Sequence, residues 1–262
     1  MKLTSMLHLL LNEFGIFPKH FINSIKGIPA YLNDLSSLKH QIKKLSRDFE
    51  IKKYYPQLKD RYETAGSIPL HYFYQDIFAA NKIFTNNPVK HVDIGSRIDG
   101  FAAHIASFRE IEIFDIRNLT LDIPNIKFVQ ADLMSDNFTY KDYCDSISCL
   151  HAIEHFGLGR YGDPVDVNGY RKGLNNIYKM LKSGGMFYFS TPIGEQRIEF
   201  NAHRVFSVGF LLSLFTDDYE LKSFSFIDDN NHFHPEAKLN DENIKNNFGC
   251  TYGCGIFELQ KL

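Results

Sequence analysis

VKHVDIGSRIDGFAAHIASFREIEIFDI, residues 89–116, is the stretch from which the fold can be read. Its two ends, VKHVDIG (89–95) and IEIFDI (111–116), are short and almost continuously apolar, as strands covered on both faces are. FAAHIASF between them has helical character, so the stretch reads as strand, helix, strand. A helix that joins two such strands carries the chain back to run the second parallel to the first. The alternation continues downstream with IKFVQAD (126–132), DSISCLH (145–151), MFYFSTP (186–192), LKSFSFID (221–228) and GIFELQK (255–261). NGYRKGLNNIYKMLKSGG reads as a further helix, closed by Gly184-Gly185 after Lys182. The expected class is α/β, a doubly wound, mostly parallel sheet of seven strands over residues 66–262.

Upstream, Leu32, Leu35, Leu38, Ile42 and Leu45 recur at helical spacing with lysines and arginines between them. They predict a helical cap over residues 1–65, whose pattern ends at Tyr54-Tyr55-Pro56 because proline cannot continue a helix. A lid or a surface for peripheral membrane contact is the alternative use of these helices. The opening stretch MKLTSMLHLLLNEF is too short and too polar for a membrane span and carries no cleavage pattern. The 262 residues are 44% hydrophobic and 23% charged, with 24 Phe, 14 Tyr and no Trp, the balance of a globular protein. A net charge of −2 gives no general attraction to nucleic acid. Cys144, Cys149, Cys250 and Cys254 form no C-x-x-C pair, so reduced structural thiols in a cytoplasmic protein are expected.

In an open parallel sheet ligands bind beyond the carboxyl ends of the strands, where strand order reverses. Three consecutive strands here end in aspartate. Asp93-Ile94-Gly95 closes the first and leads through Ser96-Arg97-Ile98-Asp99-Gly100 into a helix; Asp115 closes the second and Asp132 the third. A carboxylate has two acceptor oxygens, which suits Asp115 to a pair of ribose hydroxyls and Asp132 to an exocyclic amine. Asp93 would order the loop or meet a ligand ammonium through water.

The succession DIGSRIDG, FDIRN, QADL, DSISCLHAIEH and LKSGGMFYFSTP resembles the class I S-adenosylmethionine-dependent methyltransferases over roughly residues 85–230. HYFYQD, HVDIGSRIDGFAAHIASFRE, CLHAIEHFGLGRYGDPVD and EFNAHRVFS more closely resemble a little-characterised bacterial family, described as methyltransferase-like and accompanying surface-polysaccharide biosynthesis. The resemblance implies a Rossmann-like fold and S-adenosylmethionine held by Asp93, Gly95, Asp115 and Asp132. Ser96, Arg97, Leu133 and His151 complete the expected cofactor contacts. The chain departs from the family's first loop, which carries three alternating glycines. Only Gly95 stands in place, with Arg97 and Asp99 at the other two positions and Gly100 following. Arg97 would pair with the methionine carboxylate of the cofactor or fill the pocket.

His151-Ala152-Ile153-Glu154-His155 fits an H-x-x-E-H zinc-peptidase pattern, but that pattern needs a helix. Here it closes an apolar run and is followed by Phe156-Gly157-Leu158-Gly159, which favours a strand end and a substrate loop. His155 is therefore expected as general base, Glu154 as its orienting or metal-binding partner, and His203 as a second candidate. Arg160, Tyr161, Asp163, Asn201 and Arg204 are expected on the substrate side. A divalent metal held by Glu154, Asp163 and a histidine is compatible with the sequence but not required by it. The reading is a methyltransferase acting on the hydroxyl of a small molecule or glycan precursor, with a homodimer left open. Its rivals are a non-methylating carbohydrate or nucleotide-sugar enzyme on the same fold, and a non-catalytic scaffold in polysaccharide assembly.

Overall fold

The computed structural model describes residues 11–44, 51–62, 70–120, 122–200 and 202–262. The chain divides into two compact units, Met1–Ile68 and Pro69–Leu262. Leu45 and the opening ten residues lie outside the described residues.

The first unit is built on one long helix, α1 (Pro18–Lys44). Proline suits its first position, where the missing N–H has no partner to lose. Gly27 is required by packing, since a Cβ there would sit 1.9 Å from the Leu58 carbonyl oxygen. Tyr62 Oη donates to the Lys26 carbonyl at 2.9 Å, and Arg61 pairs with Asp34.

The second unit begins with α2 (Leu70–Asn86) and β1 (His91–Ile94). A π-turn at Ile98–Ala102 runs into α3 (Ala103–Ala106), followed by β2 (Ile111–Asp115), β3 (Ile126–Gln130) and β4 (Cys144–Leu150). Then come α4 (Gly169–Met180), β5 (Leu181–Ile193), the ribbon β6 (Arg197–Glu199) and β7 (His203–Val205), and α5 (Val208–Phe215). β8 (Tyr219–Ile227), β9 (Phe233–His234), α6 (Asp241–Lys245) and β10 (Gly253–Lys261) complete the chain.

The main sheet runs β3-β2-β1-β4-β5-β10-β8-β9. The first five strands are mutually parallel, while β10, β8 and β9 join antiparallel. The doubly wound, Rossmann-like α/β class expected from the sequence is present. The sheet has eight strands rather than seven, the addition being the two-residue edge strand β9.

Alternation of side chains across the strands feeds two cores. Ile147, Cys149, Phe187 and Phe189 pack on one face, while Ile111, Ile113 and Tyr188 meet Ile83, Phe101 and Ile105 on the other. The Tyr188 hydroxyl accepts from Asn86 Nδ2 at 2.5 Å, which satisfies its polar end.

One helix end differs from expectation. α4 stops at Met180, and Leu181 through Gly185 already belong to β5. The last-turn carbonyls are met from another element: Lys261 Nζ donates to Tyr178 O at 2.8 Å and to Leu181 O at 2.6 Å. An ammonium at a helix C-terminus satisfies orphaned carbonyls and complements the dipole, so no glycine cap is needed.

Candidate active site

β1 is flanked by β2 on one side and β4 on the other, so strand order reverses at its carboxyl end. There lies a cleft of about 760 Å³, within the range of ligand pockets. Gly95, Ser96 and Arg97 line it from the loop after β1, and Asp115, Asp132 and Leu133 from the ends of β2 and β3. His151, His155, Tyr161 and Asp163 line it from the segment after β4.

The three aspartates play unequal parts. Asp93 is wholly buried, behind the cleft rather than in its wall. It accepts from Ser96 N at 2.9 Å, Ser96 Oγ at 3.0 Å and Ser148 Oγ at 2.5 Å, and so orders the loop. Burial outweighs those bonds and pushes its carboxyl up to about 7. Ser148 gives its only proton to Asp93, so it accepts from His91 Nε2 at 3.1 Å, while His91 Nδ1 faces Ser146 Oγ at 2.8 Å. Burial, helped by Arg109, holds His91 down to about 3, a neutral imidazole.

Asp115 is clamped by Arg117, whose Nε and terminal nitrogen reach its two oxygens at 3.0 and 2.6 Å. The same guanidinium lies 4.5 Å from the Tyr161 ring centroid. Asp132 accepts from Met134 N at 2.8 Å through one oxygen.

Gly95 has φ +77°, and a Cβ there would lie 3.0 Å from Ala152 Cβ. The positive φ favours glycine here, and the space beside Ala152 is tight for any side chain. Arg97 does not plug the cleft: its side chain is 77% exposed and forks onto Asp99 at 2.9 and 2.7 Å.

After β4 the chain makes a 3-10 turn at Ile153–His155, not the helix that the H-x-x-E-H pattern needs. His151 opens this segment with φ +50°, in the left-handed region. Its Nδ1 bonds Glu154 Oε1 at 2.8 Å, and both side chains are buried. His151 stands well above the ordinary histidine range; burial pulls down, but Cys254 and Glu154 outweigh it. Glu154 lies below the ordinary carboxylate range, because His151 outweighs the upward push of burial.

His155 Nε2 is 3.9 Å from Glu154, so the nearer partner of Glu154 is His151 rather than the expected His155. His155 Nδ1 instead faces the Ala202 carbonyl at 2.7 Å, and burial lowers its pKa. The rings of His155 and His203 are 6.5 Å apart. His203 Nε2 lies 3.2 Å from Glu199 Oε2 at an angle that makes no hydrogen bond, and burial lowers its pKa as well.

On the expected substrate side, Asp163 braces its own loop: its oxygens accept from the amides of Gly157 at 2.8 Å, Gly159 at 3.2 Å and Tyr161 at 3.1 Å. The expected Glu154–Asp163–histidine metal set is not assembled. Among the described residues the only metal-competent cluster of three or more such groups is His71, His151 and Cys254. Arg160 donates to Ala202 O at 3.0 Å. Arg204 is buried, donating to Phe156 O at 2.6 Å, and neither arginine lines the cleft. Asn201 lies outside the described residues.

Several cleft residues had no role assigned by the sequence. Asp76, on α2, lines the cleft with Tyr72 and Phe73, and burial lifts its carboxyl to about 6. Gln75 is buried beside it, donating to Asp76 at 3.0 Å and accepting from Ser190 Oγ at 2.6 Å. The signal was present in HYFYQD: two adjacent polar residues sit among aromatics on an amphipathic helix, with His71 one turn before Gln75.

The family model that matches, over residues 100–250 and so more than half of the chain, is described as "Caenorhabditis protein of unknown function, DUF268". The chain belongs to this family. DUF268 is thus described from Caenorhabditis, which corrects the bacterial family implied by the sequence resemblance. No curated protein matches the chain.

Among solved structures, the 1,6-didemethyltoxoflavin-N1-methyltransferase of Burkholderia thailandensis, with 1,6-didemethyltoxoflavin and S-adenosylhomocysteine bound, aligns with TM-score 0.51. Identity is 12%, over 71% of this chain and 78% of that one. The [4+2]-cyclase SpnF aligns with TM-score 0.51 and 12% identity, over 82% of this chain and 85% of that one. At such identity these likenesses establish that this DUF268 chain has the Rossmann-like methyltransferase fold. They do not fix its reaction. No helix among its described residues is long and apolar enough to cross a membrane.

Proposed function

We propose that this DUF268 chain is a cytoplasmic S-adenosylmethionine-dependent methyltransferase that acts on a hydroxyl of a sugar or glycan precursor. The observation that carries the reading is the shared cleft of Gly95, Asp115 and Asp132 at the ends of three adjacent parallel strands. The residues fit the cofactor. A Cβ-free position at Gly95 lets a ligand approach the backbone, and the acidic ends of β2 and β3 offer acceptors to ribose hydroxyls and to an adenine amine. Arg117 fills Oδ1 of Asp115 with its amide and Nε but takes only one lone pair of Oδ2, which leaves that oxygen an acceptor toward the cleft ligand. Bound there, S-adenosylmethionine supplies an electrophilic methyl group on a sulfonium.

The chain's own task is to position the acceptor and take its proton. A carbonyl can only accept, so the 2.7 Å contact to Ala202 O requires the proton of neutral His155 on Nδ1. Nε2 then carries the lone pair, and His155 lines the cleft. This tautomer suits a general base that receives a hydroxyl proton at Nε2. Tyr72, Phe156 and Tyr161 supply aromatic surface in the same cleft, which supports a carbohydrate acceptor. His203, 6.5 Å away, is the second candidate for the base.

Calorimetry with S-adenosylmethionine and S-adenosylhomocysteine tests the reading. Micromolar binding is expected, weakened at least tenfold in Asp115→Ala. A second reading, a non-methylating enzyme on this fold, is favoured by the Arg117 clamp on Asp115, which could serve an anionic ligand instead. Binding of a nucleotide-sugar with no response to either adenosyl compound would select it.

A further inference from the structure

Three buried side chains from three distant elements meet behind the cleft wall. His71 lies in the first turn of α2, His151 at the end of β4 and Cys254 in β10. One ligand atom from each lies within 4.8 Å of the others. Around a tetrahedral ion with bonds of about 2.0–2.3 Å, ligand atoms stand roughly 3.3–3.8 Å apart, so closure asks for shifts of about an ångström.

We propose that His71, His151 and Cys254 bind one divalent transition-metal ion of the zinc class. Two imidazole nitrogens and a thiolate form a donor set suited to zinc, and three protein ligands leave the fourth tetrahedral position to water. The independent pointer is His151. Its Nε2 is buried without a hydrogen-bond partner, although its side chain is only 3% exposed. An orphaned buried nitrogen is costly, and coordination would satisfy it. The opposite nitrogen, Nδ1, is held by Glu154 at 2.8 Å. Such a carboxylate fixes ring orientation and directs the free nitrogen onto a metal. The left-handed backbone at His151, φ +50°, is a further cost borne at this point of the fold.

The rings of His71 and His151 stack at 5.4 Å and 19°, and the Tyr252 ring packs 5.4 Å from His71. Only His151 of the three lines the cleft, so the ion would clip α2 and β10 to the strand end that shapes the cleft. Binding exchanges the Cys254 S–H proton and the Nε2 proton of His151 for the metal; two protons leave to solvent and nothing is oxidised.

The test uses the full chain, stripped with a chelator and titrated with Co(II), then with Zn(II). One equivalent of Co(II) should bind with a thiolate-to-cobalt charge-transfer absorption, which Zn(II) displaces. Cys254→Ser should lose that band. His71→Gln should weaken Zn(II) at least tenfold with its circular dichroism unchanged. Failure to bind stoichiometric metal, or Co(II) binding without the thiolate band, overturns the site. If Cys254→Ser does not fold, the wild-type spectrum decides alone. None of these readouts depends on methyl transfer, so the site and the methyltransferase reading fail separately.

Discussion

His155 is the residue whose environment says most about its protonation. Its Nδ1 proton is committed to the Ala202 carbonyl, and burial holds its pKa below the usual histidine value despite the opposing pull of Glu154. A depressed pKa leaves His155, the proposed base, neutral at pH 7, so the rate should be flat there and fall only as pH drops below about 6.5. His155→Ala should reduce kcat about 10²–10⁴-fold while S-adenosylhomocysteine affinity stays within about twofold. The pair is measured by steady-state kinetics and calorimetry. A variant that loses cofactor binding instead would reassign His155 to the cofactor wall. Glu154 belongs to a different pairing, buried against His151, and its loss should leave a buried imidazole short of its partner. Glu154→Gln should therefore act through His151 and, by removing the charge that opposes burial at His155, move the acid limb of the His155 profile to lower pH. An unmoved limb would show that the Glu154 charge does not reach His155.

At the scale of elements, the strands were legible because each buried run is long enough to show its character. β1, β2, β3, β4, β5, β8 and β10 all fall on the seven apolar runs read from the sequence. β6, β7 and β9 were not seen, since two or three residues cannot display a period of two. The cleft was half legible. Asp115 and Asp132 declare themselves by ending strands, whereas the Arg117 clamp is a matter of rotamer and the His71–Cys254 approach joins residues far apart in the chain. The end of α4 was misplaced for the same reason: its cap is Lys261, in the last strand. Lys261→Met keeps the apolar stem and removes the donors. It should destabilise the protein by about 1–3 kcal/mol, the cost of unpaired buried carbonyls, with S-adenosylhomocysteine affinity unchanged. Urea denaturation measures the loss, and a change under about 0.5 kcal/mol would show that water replaces the ammonium.

Across the whole molecule, the buried chain Ser146–His91–Ser148–Asp93 couples two groups with opposite proton balances. Folding raises Asp93 from 3.8 to about 7, mainly by burial and slightly by the charge of Asp76. The folded state then holds a proton the unfolded state has lost, so this contribution is present below pH 4 and disappears as pH rises through 7. Folding lowers His91 from 6.5 to about 3, by burial and Arg109 against the pull of Asp145. The unfolded state then holds the extra proton, and this contribution grows as pH rises from about 3 to 6.5. Between about pH 4 and 6.5 the two slopes oppose and nearly cancel. Asp93→Asn removes one of them. The variant's stability should then climb relative to wild type across that window, by up to about 1.4 kcal/mol per pH unit, and level off above pH 7. Denaturant midpoints at intervals from about pH 4.5 to 7.5 resolve the two curves. Parallel curves would mean that Asp93 is ionised throughout, and that the serine and amide donors, not burial, govern the loop after β1.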